Sequence, residues 1–152
     1  MKRRGERGSS IIEFSLMAPW LIFLFIGAMD WGFYAYSLIA TEAAARVSCL
    51  YTSTSTSTAT DTATVCTYAL GQLRRMPNVG PNMSVCAVGA SVSSGSPVGV
   101  TATSVTGPDG NPAAQVSVTY LTPVFMPVVM SGTTVLPKQV TITRTVQMRM
   151  RG

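Results

Sequence analysis

The sequence predicts an α+β chain: a long N-terminal α-helix, membrane-spanning in its first half, then a small head with one short helix packed on a short antiparallel β-sheet. Three observations predict this. Phe14 to Met29 is an apolar run without a charge. Ala59, Ala63, Cys66, Leu70 and Leu73 recur at steps of four and three, one face of a helix. Val140, Ile142, Val146, Met148 and Met150 alternate with polar residues at period two, as in a half-buried strand.

The apolar run covers about 24 Å of helix at 1.5 Å per residue, a little short of the ~30 Å hydrocarbon core. The span therefore continues past Asp30 into "WGFYAYSLIA", where Trp31, Tyr34 and Tyr36 suit the membrane interface and place the exit near Asp30 to Tyr36. "TEAAARV" (41–47) prolongs the helix with strong helix formers and sets Glu42 and Arg46 at i, i+4 as helix-contact candidates. The result is one helix of about 40 residues, about 60 Å long, with a kink expected at Pro19 because proline removes a backbone donor. "TSTSTSTATDTAT" (52–64) reads as a solvated linker whose hydroxyls are potential glycan acceptors. The second helix is capped by Asp61 and ends at "RRMP": Arg74 and Arg75 suit the C-terminal dipole, and Pro77 stops the helix. Its apolar stripe needs a cover. The candidate strands lie in 83–92, in 115–130 interrupted by Pro123 and Pro127, and in 138–150, with "GPDGNP" (107–112) as a turn.

Composition narrows function. Of 152 residues only 11% are charged and none is histidine, so the usual proton shuttle and commonest metal ligand are missing. Serine, threonine and cysteine nucleophiles have no histidine to activate them, and Lys138 is the only lysine outside the leader, so no enzyme and no cofactor are expected. Lys2, Arg3, Arg4 and Arg7 against Glu6 place +3 of the net +5 within the first eight residues. A basic block before an apolar run holds the N-terminus in the cytoplasm. The remaining cluster of Arg144, Arg149 and Arg151 lacks interleaved aromatics, so nucleic acid is not an expected partner. Met83, Met126, Met130, Met148 and Met150 read as core filling.

Beyond an exported anchor, the three cysteines lie in an oxidising space. Cys66 falls on the inward face of the second helix and Cys86 opens the first strand region, so these two are the expected disulfide, closing about 20 residues for roughly 3 kcal/mol. Cys49 is left as a buried thiol, an alternative partner, or an inter-subunit link. A zinc site would need all three thiolates and an outside ligand, so no metal is expected.

The apolar core is not followed by a small-residue cleavage site, as a secretory signal would require. The available cut lies before it. Gly8 ends the basic leader, and cleavage there starts the chain at Ser9 with Glu13 as its fifth residue. This resembles type IV prepilin signals and, more closely, the TadE-like pseudopilins of tight-adherence (Tad/Flp) pilus systems. The resemblance is carried by Gly8, Glu13 with Phe14, Pro19, the run to Asp30 with Trp31 and Phe33, and "TEAAARV" with Arg46. It covers residues 7 to about 50, and Ala44 stands where the family usually has glycine.

The resemblance implies a prepilin leader (1–8), a long helix (9–51), a Ser/Thr-rich linker (52–60) and a periplasmic or extracellular head (61–152). It implies a structural subunit held in the inner membrane, partnered by other pilin subunits, the pilus assembly platform and a prepilin peptidase, and located in or at the tip of a pilus. Glu13, Phe14 and Pro19 become assembly residues, with Glu13 a registration device or, more plainly, a carboxylate at headgroup depth. Asp30 is a contact with the assembly machinery or, preferably, the interfacial edge of the span. The alternative is a single-pass anchored module that binds an envelope ligand and never polymerises.

Overall fold

The computed structural model describes residues 6–125, 127, 129–130, 132–134 and 137–151, with side chains left aside at 6–10, 129–130 and 133–134. Met126 and the leader up to residue 5 lie outside the described residues. Helix α1 runs from Glu6 to Thr52 and continues through Pro19, where proline supplies no amide for the Ser15 carbonyl. A 3₁₀ turn (Thr58–Thr60) leads into α2, Thr62–Leu73. The strands are β1 (Ala87–Val88), β2 (Val98–Thr106), β3 (Pro112–Pro123), β4 (Val129–Met130), β5 (Thr133–Thr134) and β6 (Gln139–Arg149). They form a four-stranded sheet in the order β1-β2-β3-β6 and a separate β4–β5 hairpin.

The α+β class holds, with one change: the main sheet is mixed, because β1 pairs parallel to β2 while β2–β3 and β3–β6 are antiparallel. Its inner face is covered by α2 over β2 and by the second half of α1 over β3 and β6. Leu70, Leu73 and Val65 of α2 meet Val98, Val116, Val118 and Tyr120 in one core, all fully buried. Ala44, Ala45 and Cys49 of α1 lie in that same core. The outer face is polar, with Ser117 and Thr145 hydroxyls 2.6 Å apart and those of Thr119 and Thr143 3.1 Å apart across strands.

Three local readings change. The buried face of α2 is Val65, Cys66, Ala69, Leu70 and Leu73, while Ala63 is exposed and Ala59 belongs to the 3₁₀ turn. Because α2 contacts both α1 and β2, it buries a wider arc than a single stripe describes. The apolar segment 83–92 yields only two strand residues, with Val85 and Val88 exposed, whereas β2 is built from the weakly patterned "VGVTATSVT". The Ser/Thr tract is folded. The Thr58 hydroxyl donates to the Ser55 carbonyl (2.9 Å), the Arg151 amide to Ser53 (3.0 Å), and Ala59 packs with Ala114 and Met150.

Asp61 caps α2 by accepting the Thr64 amide at 3.1 Å, and the turn expected at 107–112 links β2 to β3 through a Gly107 amide to Asn111 carbonyl bond of 2.8 Å, with Gly110 at φ +76°. Cys66 and Cys86 are disulfide-bonded with a Cα–Cα distance of 5.8 Å.

Candidate assembly and anchoring helix

Two different surfaces follow one another along α1. Over residues 11–32 most apolar side chains are exposed on every side of the helix, among them Phe14, Trp20, Phe23, Phe25 and Trp31, and Phe33 is the first to pack against the head. The helix is long and apolar enough to cross a membrane. From Ser37 onward it has two faces. Ser37, Thr41, Ala44, Ala45, Ser48, Cys49 and Thr52 turn toward the head and are buried, while Tyr36, Ile39, Arg46 and Leu50 face outward. Small side chains at i, i+4 and i+7 let the helix lie close on the sheet. Hydroxyls in that stripe are satisfied locally: Ser37 donates to Phe33 (2.9 Å) and Thr41 to Ser37 (2.7 Å) one turn back. The stripe was missed in the sequence because Ser, Thr, Ala and Cys do not register as an apolar face; their step of three and four is the signal that marks it.

Gly8 and Ser9 lie within α1, and the Ser9 side chain is outside the described residues. Glu13 and Phe14 are exposed on the first described turns, and Pro19 follows them on the same exposed segment. At the opposite end of the span, Asp30 accepts the Phe125 amide at 2.8 Å, a role beyond either reading of that residue in the sequence. The Phe125 ring meets Phe33 edge-on at 5.4 Å. The chain leaving β3 is thereby tied to α1 at the level of Asp30. Upstream, the Tyr120 hydroxyl donates to Asn78 Oδ1, and the Asn78 amide donates to the Leu121 carbonyl at 2.6 Å, which binds the loop after α2 to β3.

Glu42 and Arg46 pair with each other at 2.6 Å on the outward side of α1. Together with Arg144, Thr145, Val146 and Met148 they line a shallow groove of about 430 Å³ between α1 and β6. Arg144 has the inward parity of its strand yet is exposed, and an arginine at such a position on an edge strand hinders edge-to-edge pairing. Cys49 is buried, its sulfur 3.5 Å from the Ala114 carbonyl oxygen and 3.4 Å from that of Val146, and burial pushes its thiol pKa up. The disulfide holds the other two sulfurs elsewhere, and among the described residues no three metal-ligating side chains converge.

The family model for TadE-like protein matches residues 8–49, which begin at the glycine before Ser9 and end at Cys49 in the head-packing half of α1. No curated protein and no solved structure matches the chain.

Proposed function

We propose that this chain, TadE-like over residues 8–49, is a structural and assembly subunit of a Tad-type pilus: a pseudopilin or minor pilin cleaved after Gly8 by a prepilin peptidase. The observation that carries the reading is the division of one continuous helix, Glu6–Thr52, into an all-round apolar half and a half that is built into the head. An anchor rigidly continuous with a folded head transmits the position of the one to the other, which a subunit extracted from a membrane into a fibre requires.

Glu13 has the central assembly role. A carboxylate within the bilayer costs about 2.5 to 3.5 kcal/mol on insertion scales. Cleavage after Gly8 removes the basic leader and creates a positive α-amine at Ser9, and that amine on a neighbouring subunit offsets the cost only at one stagger. Packed apolar helices have little lateral specificity of their own, so a paired charge selects the register. The groove beside Glu42, Arg46 and Arg144 is a site for a neighbouring subunit or the assembly platform on the outward face.

Mass spectrometry of the N-terminus in the native host tests the processing step. A start at Ser9 is the expected result, while retention of Met1 favours an anchored envelope-binding module. Glu13→Ala is expected to insert normally and to lose assembly; unimpaired piliation overturns the registration role.

A further inference from the structure

We propose that Phe125, at the start of the connection between β3 and β6, is a second membrane contact that rests on the outer lipid interface beside the anchor and sets the orientation of the head. The proposal rests on the reading of α1 as a membrane anchor. With Ile11 at the inner edge of the hydrocarbon, Asp30 lies about 28 Å along the helix axis, at the far edge of a ~30 Å core. Phe125 is held at that level by its amide bond to Asp30 and its ring contact with Phe33. Its side chain is nevertheless 61% exposed, and Trp31, at the same level of the helix, is 74% exposed. Aromatic side chains at this depth are favoured at a lipid interface and disfavoured in open water.

Charge supports the same occupant. No charged side chain occurs between Asp109 and Lys138, and the stretch after β3 reads "VFMPVVMSGTTVLP". Lys138 is the one charge of the connection, at its far end beside β6, where its carbonyl accepts the Val124 amide at 3.0 Å; a lysine at that edge suits anionic headgroups. The other charges of the head belong to other elements: Asp61 before α2, Arg74 and Arg75 after it, Asp109 in the β2–β3 turn, Arg144 and Arg149 on β6, and Arg151 after it. An exposed phenylalanine carries a cost in water that lipid removes, at about 25 cal/mol per Å² of apolar area. Phe125, fastened to the anchor at Asp30, meets that lipid without any movement of the head.

The test uses the full chain in vesicles of phosphatidylethanolamine and phosphatidylglycerol. Trp20 and Trp31 are the two native tryptophans, so three single-tryptophan proteins are made: Trp31→Phe, Trp20→Phe, and Phe125→Trp with both native tryptophans changed to phenylalanine. Each is read by quenching with lipids brominated near the headgroup and with aqueous iodide. The tryptophan introduced by Phe125→Trp is expected to be quenched by the shallow-brominated lipid to the extent seen for Trp31, and shielded from iodide to the same extent. Iodide access without lipid quenching, while Trp20 is quenched by lipid, overturns the second contact and leaves the anchor standing. Iodide shielding without lipid quenching, growing with the protein-to-lipid ratio, overturns it in favour of a second copy of the chain. Failure of Trp20 to be quenched overturns the anchor reading and the contact with it. Helix content and the Cys66–Cys86 disulfide are compared across the variants; Pro127→Trp, also at an exposed position, replaces Phe125→Trp if the latter does not fold and is read by the same criteria.

Discussion

A Cβ added at Gly99 would lie 2.1 Å from the Gly89 carbonyl oxygen and 3.0 Å from the Val92 side chain. That carbonyl belongs to the turn after β1, which is held to β2 by the Gly89 amide on Val100 (3.1 Å), so the backbone cannot retreat without breaking the parallel pair. Gly99→Ala is therefore expected to destabilise the protein by about 1–3 kcal/mol, the usual cost of overpacking, read by denaturant unfolding in detergent. Two other buried residues set an alkaline limit. Burial raises the pKa of both the Cys49 thiol and the Tyr120 hydroxyl. A group whose pKa is higher folded than unfolded contributes stability that is whole below its unfolded value and lost as pH climbs toward the folded one. Unfolded values of about 8.5 for cysteine and 10 for tyrosine make the expected unfolding midpoint level up to about pH 8 and falling above it. Cys49→Ala is expected to delay the first part of that fall; a midpoint indifferent to alkaline pH contradicts the assignment.

At the scale of elements, α2 depends on ties at both ends and along its length. Asp61 receives the Thr64 amide at its start and the Tyr51 hydroxyl at 3.1 Å, and hydrogen bonding from the Thr64 side chain and amide, with a smaller part from Tyr51, holds its carboxyl pKa below the usual range. The disulfide then joins its middle to the segment before β1, across a sequence separation of 20. Removing it as Cys66→Ala/Cys86→Ala is expected to lower stability by roughly 3 kcal/mol, measured against the oxidised parent by thermal unfolding. The bridge also explains why 83–92 makes so little strand. The bridge holds Cys86 against α2, and the segment runs along β2 only from Ala87 to the Gly89 amide before turning away. Its apolar composition and its tie to α2 through Cys86 were readable in the sequence; that it would give only two strand residues, parallel to β2, was not.

For the whole molecule, the decisive join is between the second half of α1 and the sheet. Ala44 and Ala45 are fully buried there, and a larger side chain at that point pushes a rigid helix off a rigid sheet. Ala45→Leu is expected to cost at least the 1–3 kcal/mol of ordinary overpacking and to make the head susceptible to proteolysis while membrane insertion stays normal. Limited digestion of vesicle-bound protein, with the anchor fragment detected separately, checks both halves of that expectation.

Elements that depend on local patterning were legible in the sequence. The long helix follows from a charge-free run and helix-forming "TEAAARV", α2 from its cap and stop, β6 from period-two alternation, and the β2–β3 turn from "GPDGNP". The Cys66–Cys86 pair was legible because both positions could be placed on facing elements. What only the tertiary structure decided are matters of contact between segments far apart in the chain: the parallel β1, the small-residue face of α1, the folded Ser/Thr tract and the meeting of Asp30 with Phe125. Periodicity reports which residues avoid water, but Ser, Thr and Ala have too weak a preference to report it, and a hydrogen bond across 95 positions has no local signature. Such contacts exist only once the sheet and the helix have fixed each other's place.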